Sequence, residues 1–499
     1  MRTDQVRIRD VDTAAVLVFD LFNKGEGLAS NVQLSLSVDE ESMQLESQST
    51  HYLPPLGQGD RISSEFTVLR RGAGVAPVSV EVRYDDPQRE AQSRLFQREV
   101  RFYVEEAEYR EIGTSPYIAG PPVKSREMFY GRKSVFDWIR ENLSGTFQDN
   151  VLVLYGERRT GKTSVLYQMQ HHLPETYAFV LIDLQTIAYG LSSTGELLHA
   201  MARKVVNGLR KEGFDLERVD RADYEAHPIE QFEALGETIG DMAVAIGRRA
   251  VIILDEFDLL IEAIDRGSVS PFVFDVIRGL MQHQDGLSFI FAGAHALTAM
   301  IKNPRSILFN TALRRKISFL ERDEAERLIR DPVKNVLWYD DLAVEKILRV
   351  TAGQPYFIQY ICHEIVNLAR RDQKNFVTLR DVDRALLTTV QETTGIIRHS
   401  YMSLLRDEQL ALAALARITD DGRPFVNAED VVETLRQDNV TVGVHDLSET
   451  MHELAGRDFV VERGGGDSAG RQYGFAMDLV RVWLEQNDEY TRLLEEQRG

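Results

Sequence analysis

The sequence predicts a multidomain chain with an all-β region first, an α/β region with a parallel sheet second, and a largely helical region last. Three observations predict this order. Apolar residues alternate at period two up to about residue 105, strands alternate with helices from about 125 to 320, and helical patterns dominate afterwards. A chain of 499 residues has room for about three domains.

The first region, residues 1–105, contains alternating runs such as VQLSLSV at 32–38 and REVRFYV at 98–104. Turn-forming clusters separate these runs, which predicts an antiparallel β-sandwich. Its segment FDLFNKGEGLASNVQLSL, residues 19–36, resembles the opening hairpin of the immunoglobulin-like modules called CARDB-like. The region has no recognisable catalytic constellation, so we expect it to bind a protein partner or to act as a spacer.

Residues 106–124 are marked by proline and glycine and show no strong periodicity, so the sequence predicts a linker there. After it, the apolar runs predict five strands of a parallel sheet. The predicted strands are Val151–Tyr155, Tyr177–Leu184, Ala250–Leu254, Leu287–Phe291 and Lys316–Leu320.

The segment LYGERRTGKTSVL, residues 154–166, matches the pattern GxxxxGK[ST] through Gly156, Gly161, Lys162 and Thr163. The glycines let backbone N–H groups point at phosphates at the positive end of the following helix. Lys162 would reach the β- and γ-phosphates, and the Thr163 hydroxyl would bind Mg²⁺. A strand before the pattern and a helix after it favour a phosphate site over a chance match.

We include three further residues of this segment among the candidate nucleotide-binding residues: Arg159, Thr160 and Ser164. The expected nucleotide is ATP or ADP with Mg²⁺.

A second motif, VIILDEFD at residues 251–258, predicts a buried strand that ends in acidic residues. Asp255 would hold Mg²⁺ through water, and Glu256 would orient or deprotonate the attacking water. An ordinary structural turn after a buried strand is the alternative. We expect Asp258 to be a solvated residue at a helix start, and His295 to be either a sensor of the γ-phosphate or a plain loop histidine.

Four segments together resemble the STAND class of signal-transduction ATPases, in the bacterial and archaeal branch that is related to origin-recognition-type AAA+ ATPases. They are MFYGRKSVFDWIRENL at 128–143, VLYGERRTGKTSVL at 153–166, VIILDEFD at 251–258 and TAGQPYFIQYICHEIV at 351–366. The resemblance implies a P-loop ATPase core at 125–320, a helical lid at 321–397 and a winged helix at 398–499.

The same resemblance implies roles for residues outside the two motifs. Phe129, Tyr130, Gly131 and Arg132 match a box that closes over adenine, although the two aromatic residues could instead belong to the core. Gly353 and Pro355 match a turn that ties the lid to the nucleotide.

Two further residues, Arg314 and Arg315, stand just before the predicted fifth strand. The resemblance implies an arginine finger there, which would act across a subunit boundary and so join Lys162 and Glu256 as a catalytic group. A solvated surface pair is the alternative.

The last hundred residues predict four helices and a glycine-tipped hairpin. The helices are expected at Asp407–Arg417, Ala428–Arg436, Val444–Ala455 and Asp478–Gln486. Related proteins carry a Met-His-Asp motif at the end of their winged helix, but here Met477 occupies the histidine position.

Charge and composition limit the partners. The formal net charge is −20, which disfavours non-specific attraction to nucleic acid or anionic membranes. From residue 400 onward there are 10 arginines, no lysines and 20 acidic residues, a poor composition for contact with DNA. Without an evident signal peptide or membrane-spanning run, and with Cys362 as the only cysteine, a cytoplasmic protein is expected.

The leading hypothesis is an ATP-binding, slowly hydrolysing switch that forms a nucleotide-dependent homo-oligomer and binds a protein partner through its β-sandwich. An origin-recognition-like or transposition-helper ATPase that associates with DNA is an alternative, disfavoured by the acidic C-terminus. A nucleotide-binding scaffold without turnover is a third possibility, against which the intact motifs argue.

Overall fold

The computed structural model describes residues 5–8, 14–25, 27–71, 74–87, 89–104, 109–144, 151–188, 193–294, 312–420, 423–464 and 471–498. The chain divides into two compact units, each built from several stretches of sequence. The first unit contains Met1–Gly113, Lys334–Lys346 and Val366–Asp383, and the second contains Thr114–Val333, Ile347–Ile365 and Arg384–Gly499.

In the first unit, residues 5–104, here called the β region, form two sheets. The strands are β1 (Gln5–Ile8), β2 (Ala14–Phe22), β3 (Ser30–Val38), β4 (Met43–Leu45), β5 (Thr50–Leu53), β6 (Arg61–Arg70), β7 (Gly74–Asp86) and β8 (Arg89–Val104). The larger sheet has the order β1-β8-β7-β3-β5, and the smaller has the order β2-β6-β4. Neighbouring strands are antiparallel except β1 and β8, which are parallel.

Alternate residues of β2, β3, β6 and β7 face a common apolar core, as the period-two pattern predicts. The buried residues come from both sheets and include Leu17, Phe19, Leu34, Leu36, Phe66, Val68, Val78 and Val80. The two sheets therefore share one core, and the predicted antiparallel sheets are confirmed.

Also in the first unit, a short parallel pair joins β14 (Trp338–Tyr339) to β15 (Phe376–Val377). Beside it, the Asn375 amide accepts from the Arg110 backbone N–H and donates to the Arg110 carbonyl, both at 2.8 Å. The beginning of the predicted linker is thus bonded to residues far along the chain.

The second unit contains a five-stranded parallel sheet with the order β10-β11-β12-β9-β13. Its strands are β9 (Leu152–Tyr155), β10 (Tyr177–Asp183), β11 (Arg249–Asp255), β12 (Leu287–Gly293) and β13 (Leu313–Lys316). β12 is buried along its whole length, as expected for a central strand covered by helices on both faces.

The helices around this sheet bury its two faces in separate apolar clusters. They are α1 (Lys133–Ser144), α2 (Lys162–His172), α3 (Gln185–Ala188), α4 (Thr194–Lys211), α5 (Arg221–Ala226), α6 (Pro228–Ala245), α7 (Asp258–Asp265) and α8 (Phe272–His283).

The fifth strand differs from its prediction. The apolar run at 317–320 favoured a strand there, but β13 is Leu313–Lys316 and so contains Arg314 and Arg315. β13 pairs with β9, which ends at Tyr155, so the chain beyond Lys316 has no strand left to pair with. Ile317 and Leu320 are instead buried outside any strand, and the Leu320 N–H donates to the Gly353 carbonyl at 2.9 Å.

After the sheet come α9 (Arg322–Arg330), a 3₁₀ turn (Asp331–Val333), α10 (Asp341–Thr351), α11 (Pro355–Arg371) and α12 (Leu379–Met402). The residues that follow, 403–498, are here called the C-terminal region. Its helices are α13 (Arg406–Ile418), α14 (Ala428–Gln437), α15 (Val444–Gly456), α16 (Asp478–Gln486) and α17 (Glu489–Arg498).

The C-terminal region also has a small antiparallel sheet of β16 (Val426–Asn427), β17 (Val460–Arg463) and β18 (Gln472–Phe475), in the order β16-β18-β17. The four helices predicted here are confirmed within one residue at each end, and α17 was not predicted. Within the described part of the chain, no helix is both long and apolar enough to cross a bilayer.

Candidate phosphate-binding site

Residues 156–161, here called the glycine loop, connect the end of β9 to the start of α2. A Cβ atom on Gly156 would lie 2.1 Å from the carbonyl oxygen of Ile317, so a side chain cannot fit at that position. Gly161 has a φ of 94°, in the left-handed region that favours glycine. The two glycines of the motif are therefore both required by the path of the backbone.

Lys162 is buried at the first position of α2, and its Nζ donates to the carbonyl oxygens of Gly156 at 2.8 Å and Glu157 at 2.9 Å. Burial lowers the pKa of Lys162, while the nearby carboxylates of Glu256 and Asp255 act in the opposite direction. The ammonium group is thus fixed inside the glycine loop, where backbone N–H groups and the helix terminus favour an anion.

The second motif lies beside this lysine. The Thr163 hydroxyl donates to Oδ2 of Asp255 at 2.8 Å, and the backbone N–H of Glu256 donates to Oδ1 at 3.0 Å. Burial raises the pKa of Asp255 to about 6, and the hydrogen bond from Thr163 opposes this shift.

This donor set fits Mg²⁺, a hard cation that prefers oxygen ligands and is commonly held by one or two protein groups with phosphates and waters. Within the described residues there is no group of three or more His, Cys, Asp or Glu side chains that could hold a metal ion. Thr163 and Asp255, which lie within hydrogen-bond distance of each other, would hold a magnesium ion that arrives with a nucleotide.

Glu256 follows Asp255 with a φ of 53°, a left-handed conformation that costs a residue other than glycine about 1 kcal/mol or more. The next residue, Phe257, is fully buried, and its N–H donates to the carbonyl of Ala292 at 3.1 Å. The turn after β11 is therefore anchored by its backbone, and the half-buried Glu256 is among the carboxylates that oppose the effect of burial on the pKa of Lys162.

Asp258 corrects one prediction. It begins α7 as expected, but it is half-buried, and Oδ2 accepts from the backbone N–H of Ala294 at 2.6 Å. Burial raises its pKa. The end of β12 covers this carboxylate, which is why it is not solvated; His295, the candidate sensor that follows Ala294, lies outside the described residues.

The residues of the predicted adenine box contact different parts of the protein. Arg132 is buried, with a pKa lowered by burial to about 10. Its guanidinium donates to the carbonyls of Thr160 at 2.9 Å, Ser318 at 2.5 Å and Phe319 at 3.2 Å. Arg132 thus ties the glycine loop to the segment after β13.

Its neighbour Gly131 has a φ of 75°, and a Cβ atom there would lie 2.3 Å from the Glu324 carboxylate. Phe129 packs near Phe136 and His172, with ring centroids 5.9 Å away in both cases. These contacts match the alternative that Phe129 is a core residue. Contact between adenine and this box, including the half-buried Tyr130, stays a prediction.

The lid turn lies beside the glycine loop. Gly353 has a φ of 85°, and a Cβ atom on it would lie 2.5 Å from the carbonyl oxygen of Leu320. Pro355 begins α11, and its Cγ is 3.9 Å from the position of a Cβ atom on Gly161. The Gln354 side chain donates to the Arg159 carbonyl at 3.3 Å.

Three candidate nucleotide-binding residues already have protein partners. The Arg159 guanidinium donates to the Gly120 carbonyl and lies 5.1 Å from the ring centroid of Tyr356. The Thr160 hydroxyl donates to the Glu157 carbonyl at 2.9 Å, and the Ser164 hydroxyl accepts from the Val123 N–H at 3.0 Å. Through these bonds, residues of the predicted linker hold the glycine loop and α2.

The two candidate finger residues lie in β13 itself. Arg314 is exposed, and Arg315 donates to the Ser134 hydroxyl at 3.2 Å. Action of either arginine across a subunit boundary stays a prediction.

Sequence reasoning missed Arg457, which follows α15. Its side chain contacts three groups: the carboxylates of Glu157 at 3.2 Å and Glu408 at 3.4 Å, and the Ser403 hydroxyl at 2.9 Å. Both carboxylates are largely buried, with side chains 14% and 6% exposed. Arg457 therefore joins the glycine loop to the C-terminal region, a link that no motif in the sequence signals.

Two neighbouring contacts strengthen this link. The Lys316 ammonium donates to Asp458 at 2.8 Å and to the Gly456 carbonyl at 2.6 Å. Met477, which occupies the histidine position of the related motif, lines a cavity of about 40 Å³ together with Glu157 and Arg457.

Comparison with known proteins agrees with this arrangement. Residues 145–301 match the model of a protein family described as an AAA domain. No curated protein matches the sequence. The Walker-type ATPase PABY2304 of Pyrococcus abyssi is similar in structure, with a TM-score of 0.53 and 15% identity over 73% of this chain and 98% of that chain.

A second solved structure, that of the Aeropyrum pernix ORC2 protein in its ADPNP–ADP complexes, gives a TM-score of 0.48 and 14% identity over 74% of this chain and 96% of that chain. The likeness to the Pyrococcus protein shows the fold, which is that of a P-loop ATPase. Residues 145–301, with the glycine loop and the acidic strand end, thus match an AAA domain within a P-loop ATPase fold.

Proposed function

We propose that this protein is an ATP-binding, slowly hydrolysing switch of the STAND or related AAA+ type, in which the bound nucleotide controls the packing of the C-terminal region and self-assembly. The observation that carries the proposal is the Arg457 side chain, which binds Glu157 in the glycine loop and Glu408 in the C-terminal region. A change in the glycine loop reaches the C-terminal region through this arginine.

Glu157 takes part in two contacts: its side chain binds Arg457, and its backbone carbonyl accepts from the Lys162 ammonium. The Lys162 ammonium donates to the carbonyls of Gly156 and Glu157. An entering phosphate competes for that ammonium because a hydrogen bond between two charged groups is stronger than one from the ammonium to a neutral carbonyl. The Glu157 carbonyl then loses its hydrogen bond from Lys162. Because the Glu157 side chain binds Arg457, this loss affects the residue that holds Arg457.

The chemistry assigns one role to each remaining group. Asp255 and Thr163 hold the magnesium ion, which neutralises charge on the β- and γ-phosphates. Glu256 orients the attacking water and accepts its proton. Slow turnover suits a switch because hydrolysis resets the state and supplies no product that the protein needs.

The outer regions complete the proposal. The C-terminal region, with α13 to α15 and its small sheet, acts as a winged helix that moves relative to the glycine loop. The β region acts as an immunoglobulin-like module that binds a protein partner. The exposed Arg314 then meets the nucleotide of a neighbouring copy in the assembled state.

The test is the solution mass of the protein, measured by light scattering with ADP and then with a non-hydrolysable ATP analogue and Mg²⁺. The expected result is a change from 56.8 kDa with ADP to a defined multiple with the analogue. The Glu256→Gln variant should reach the same multiple with ATP itself, because it binds ATP but hydrolyses it about a hundredfold more slowly or worse.

The Lys162→Ala variant is the matched control, since it removes the ammonium that meets the phosphates, and it should stay monomeric in every condition. A monomer with ADP and with the analogue would contradict nucleotide-controlled assembly. An assembly that forms equally well in the Lys162→Ala variant would contradict it too.

A further inference from the structure

The inner face of the β region is not covered along its whole width. In the antiparallel pair of β7 and β8, residues directly opposite each other share one face of the sheet. The opposite pairs are Val78 with Arg98, Val80 with Phe96, and Val82 with Arg94. Because Val78 and Val80 are core residues, the face of β8 that carries Arg94, Phe96 and Arg98 is its inner face.

That inner face is open to solvent at one end of β8. Val100 is fully buried, but Phe96 is 40% exposed, and both arginines are exposed. The reason lies in the topology, since the larger sheet has five strands and the smaller has three. The smaller sheet ends at β2, so no strand in the described residues covers this part of β8.

The edge of β2 is open as well. In the described part of the chain β2 pairs with β6 alone, so about half of its backbone N–H and C=O groups point toward the edge. Between this edge and β8 lies a groove with a volume of about 770 Å³. Leu21 and Phe22 line the β2 side, and Val82 and Phe96 line the other side.

The charge of the groove is positive. Within the described residues no carboxylate forms an ion pair with Arg94 or Arg98, and the Arg98 guanidinium donates to the Gln97 carbonyl at 2.9 Å. The acidic residues of the lining are occupied: Asp20 binds Arg61 at 2.5 Å, and Asp86 accepts from the Arg89 N–H at 2.8 Å. An anionic partner is therefore favoured, in contrast to the net charge of −20 of the whole chain.

We propose that an extended acidic peptide of a protein partner binds in this groove as a fourth strand of the smaller sheet, paired with the free edge of β2. Successive inward side chains of a strand lie about 6.8 Å apart, the same spacing as that of Arg94, Phe96 and Arg98. The peptide therefore carries acidic residues four positions apart with an apolar residue midway between them. This names a surface and a ligand class for the partner-binding role proposed above.

The probe is a fluorescein-labelled peptide, TETVTETVT, titrated with the full-length protein without nucleotide and followed by fluorescence anisotropy. Its glutamates and valines occupy one face of a strand. The peptide TKTVTKTVT, in which lysine replaces glutamate, should bind at least about tenfold more weakly. The double variant Arg94→Glu, Arg98→Glu should reverse this preference, because both side chains are exposed and their replacement leaves the core intact.

The Arg83→Glu variant is the matched control. Arg83 lies opposite Ser93 on the outer face of the same sheet, so a single arginine-to-glutamate change there should leave the preference unchanged, whereas Arg94→Glu or Arg98→Glu alone should weaken it. Strand pairing has a separate readout, since hydrogen exchange of the β2 amides should slow about tenfold or more when TETVTETVT binds.

Three results would overturn the proposal: no binding of TETVTETVT, an equal loss of preference in the Arg83→Glu variant, or binding that leaves exchange of the β2 amides unchanged. A fatty acid such as decanoate that binds the groove when TETVTETVT does not would assign it to small amphiphiles. Because no nucleotide is present, each result bears on the groove alone and leaves the proposed ATP switch to its own test.

Discussion

The carboxyl group of Asp255 lies at the end of a buried strand, and this position controls its ionisation. Burial raises its pKa from 3.8 to about 6. The ionised form is the disfavoured one, so the stability contributed by protonated Asp255 is fully present below pH 3.8 and is lost as the pH rises through about 6. A cation bound at the carboxylate favours the ionised form and removes this penalty.

This ionisation gives the first prediction at the residue scale. Affinity for an ATP analogue in the presence of Mg²⁺ should rise with pH through about 6, because the ionised form of Asp255 is the one that can hold the metal. Titration calorimetry from pH 5 to pH 8 measures it. Phosphate groups also titrate near pH 6, so the quantity to compare is the difference between the wild type and Asp255→Asn.

In the Asp255→Asn variant the part of the pH dependence due to the protein should disappear. The same curve for both proteins, after correction for the analogue alone, would contradict a role of Asp255 in holding the metal. The control is the Asp275→Asn variant, whose curve should match that of the wild type. Asp275 is an exposed residue of α8 that pairs with Arg278.

Five residues show what the sequence could and could not indicate at this scale. The motif letters identified Lys162, Thr163 and Asp255, which the structure brings together, because the spacing of GxxxxGK[ST] reflects a local backbone path. Asp258 was misjudged because its cover, the Ala294 N–H, comes from a neighbouring strand. Arg457 was missed because its partner Glu157 lies 300 positions earlier, and no local pattern reports such a contact.

At the scale of elements, the sequence predicted β10, β11 and β12 more accurately than β13. β10, β11 and β12 were predicted within about two residues because long apolar runs specify buried parallel strands. β13 was displaced because its position depends on where β9 ends, and that is a property of the partner strand. Apolarity alone could not separate a strand from a buried loop at 317–320.

The lid turn provides a prediction at this scale. The Gly353→Ala variant should lose about 1–3 kcal/mol of unfolding free energy, because φ is positive there and the new Cβ would lie 2.5 Å from the Leu320 carbonyl. Chemical denaturation measures the loss. Nucleotide affinity should fall as well, since the turn holds Pro355 beside Gly161.

Gly279 supplies the matched control for that substitution. It lies inside α8, and a Cβ atom on it would have no neighbour within 4 Å. The Gly279→Ala variant should therefore gain up to about 1 kcal/mol through the higher helix propensity of alanine. If both variants had the same unfolding free energy, the turn at Gly353 would not be under the constraint described.

At the scale of the whole second unit, two ion pairs connect the C-terminal region to the glycine loop and to β13. Arg457 forms one with Glu157, and Asp458 forms the other with Lys316. A partly buried ion pair adds little net stability but is costly to break from one side only. Such contacts suit an element that can switch between two arrangements, because a ligand that disturbs one partner weakens the packing of the C-terminal region against the glycine loop.

The last prediction follows from this coupling. The Arg457→Ala variant leaves Glu157 and Glu408 without their shared cation, so the C-terminal region should separate from the glycine loop more readily. The dissociation rate of ADP, measured by stopped flow with a fluorescent analogue, should rise about tenfold or more, which corresponds to about 1.4 kcal/mol. Arg436→Ala is the control, since Arg436 is an exposed arginine of α14 in the same region that pairs with Glu433.

A double-mutant cycle separates this coupling from general loosening of the fold. Glu157→Gln alone should also raise the ADP dissociation rate, and adding it to Arg457→Ala should change the rate little further, because the Arg457–Glu157 ion pair is already absent in Arg457→Ala. Additive effects would show that the two residues act independently. A rate that stays at the wild-type value in Arg457→Ala would mean that the C-terminal region does not control nucleotide release, and the proposed switch would then lose its structural basis.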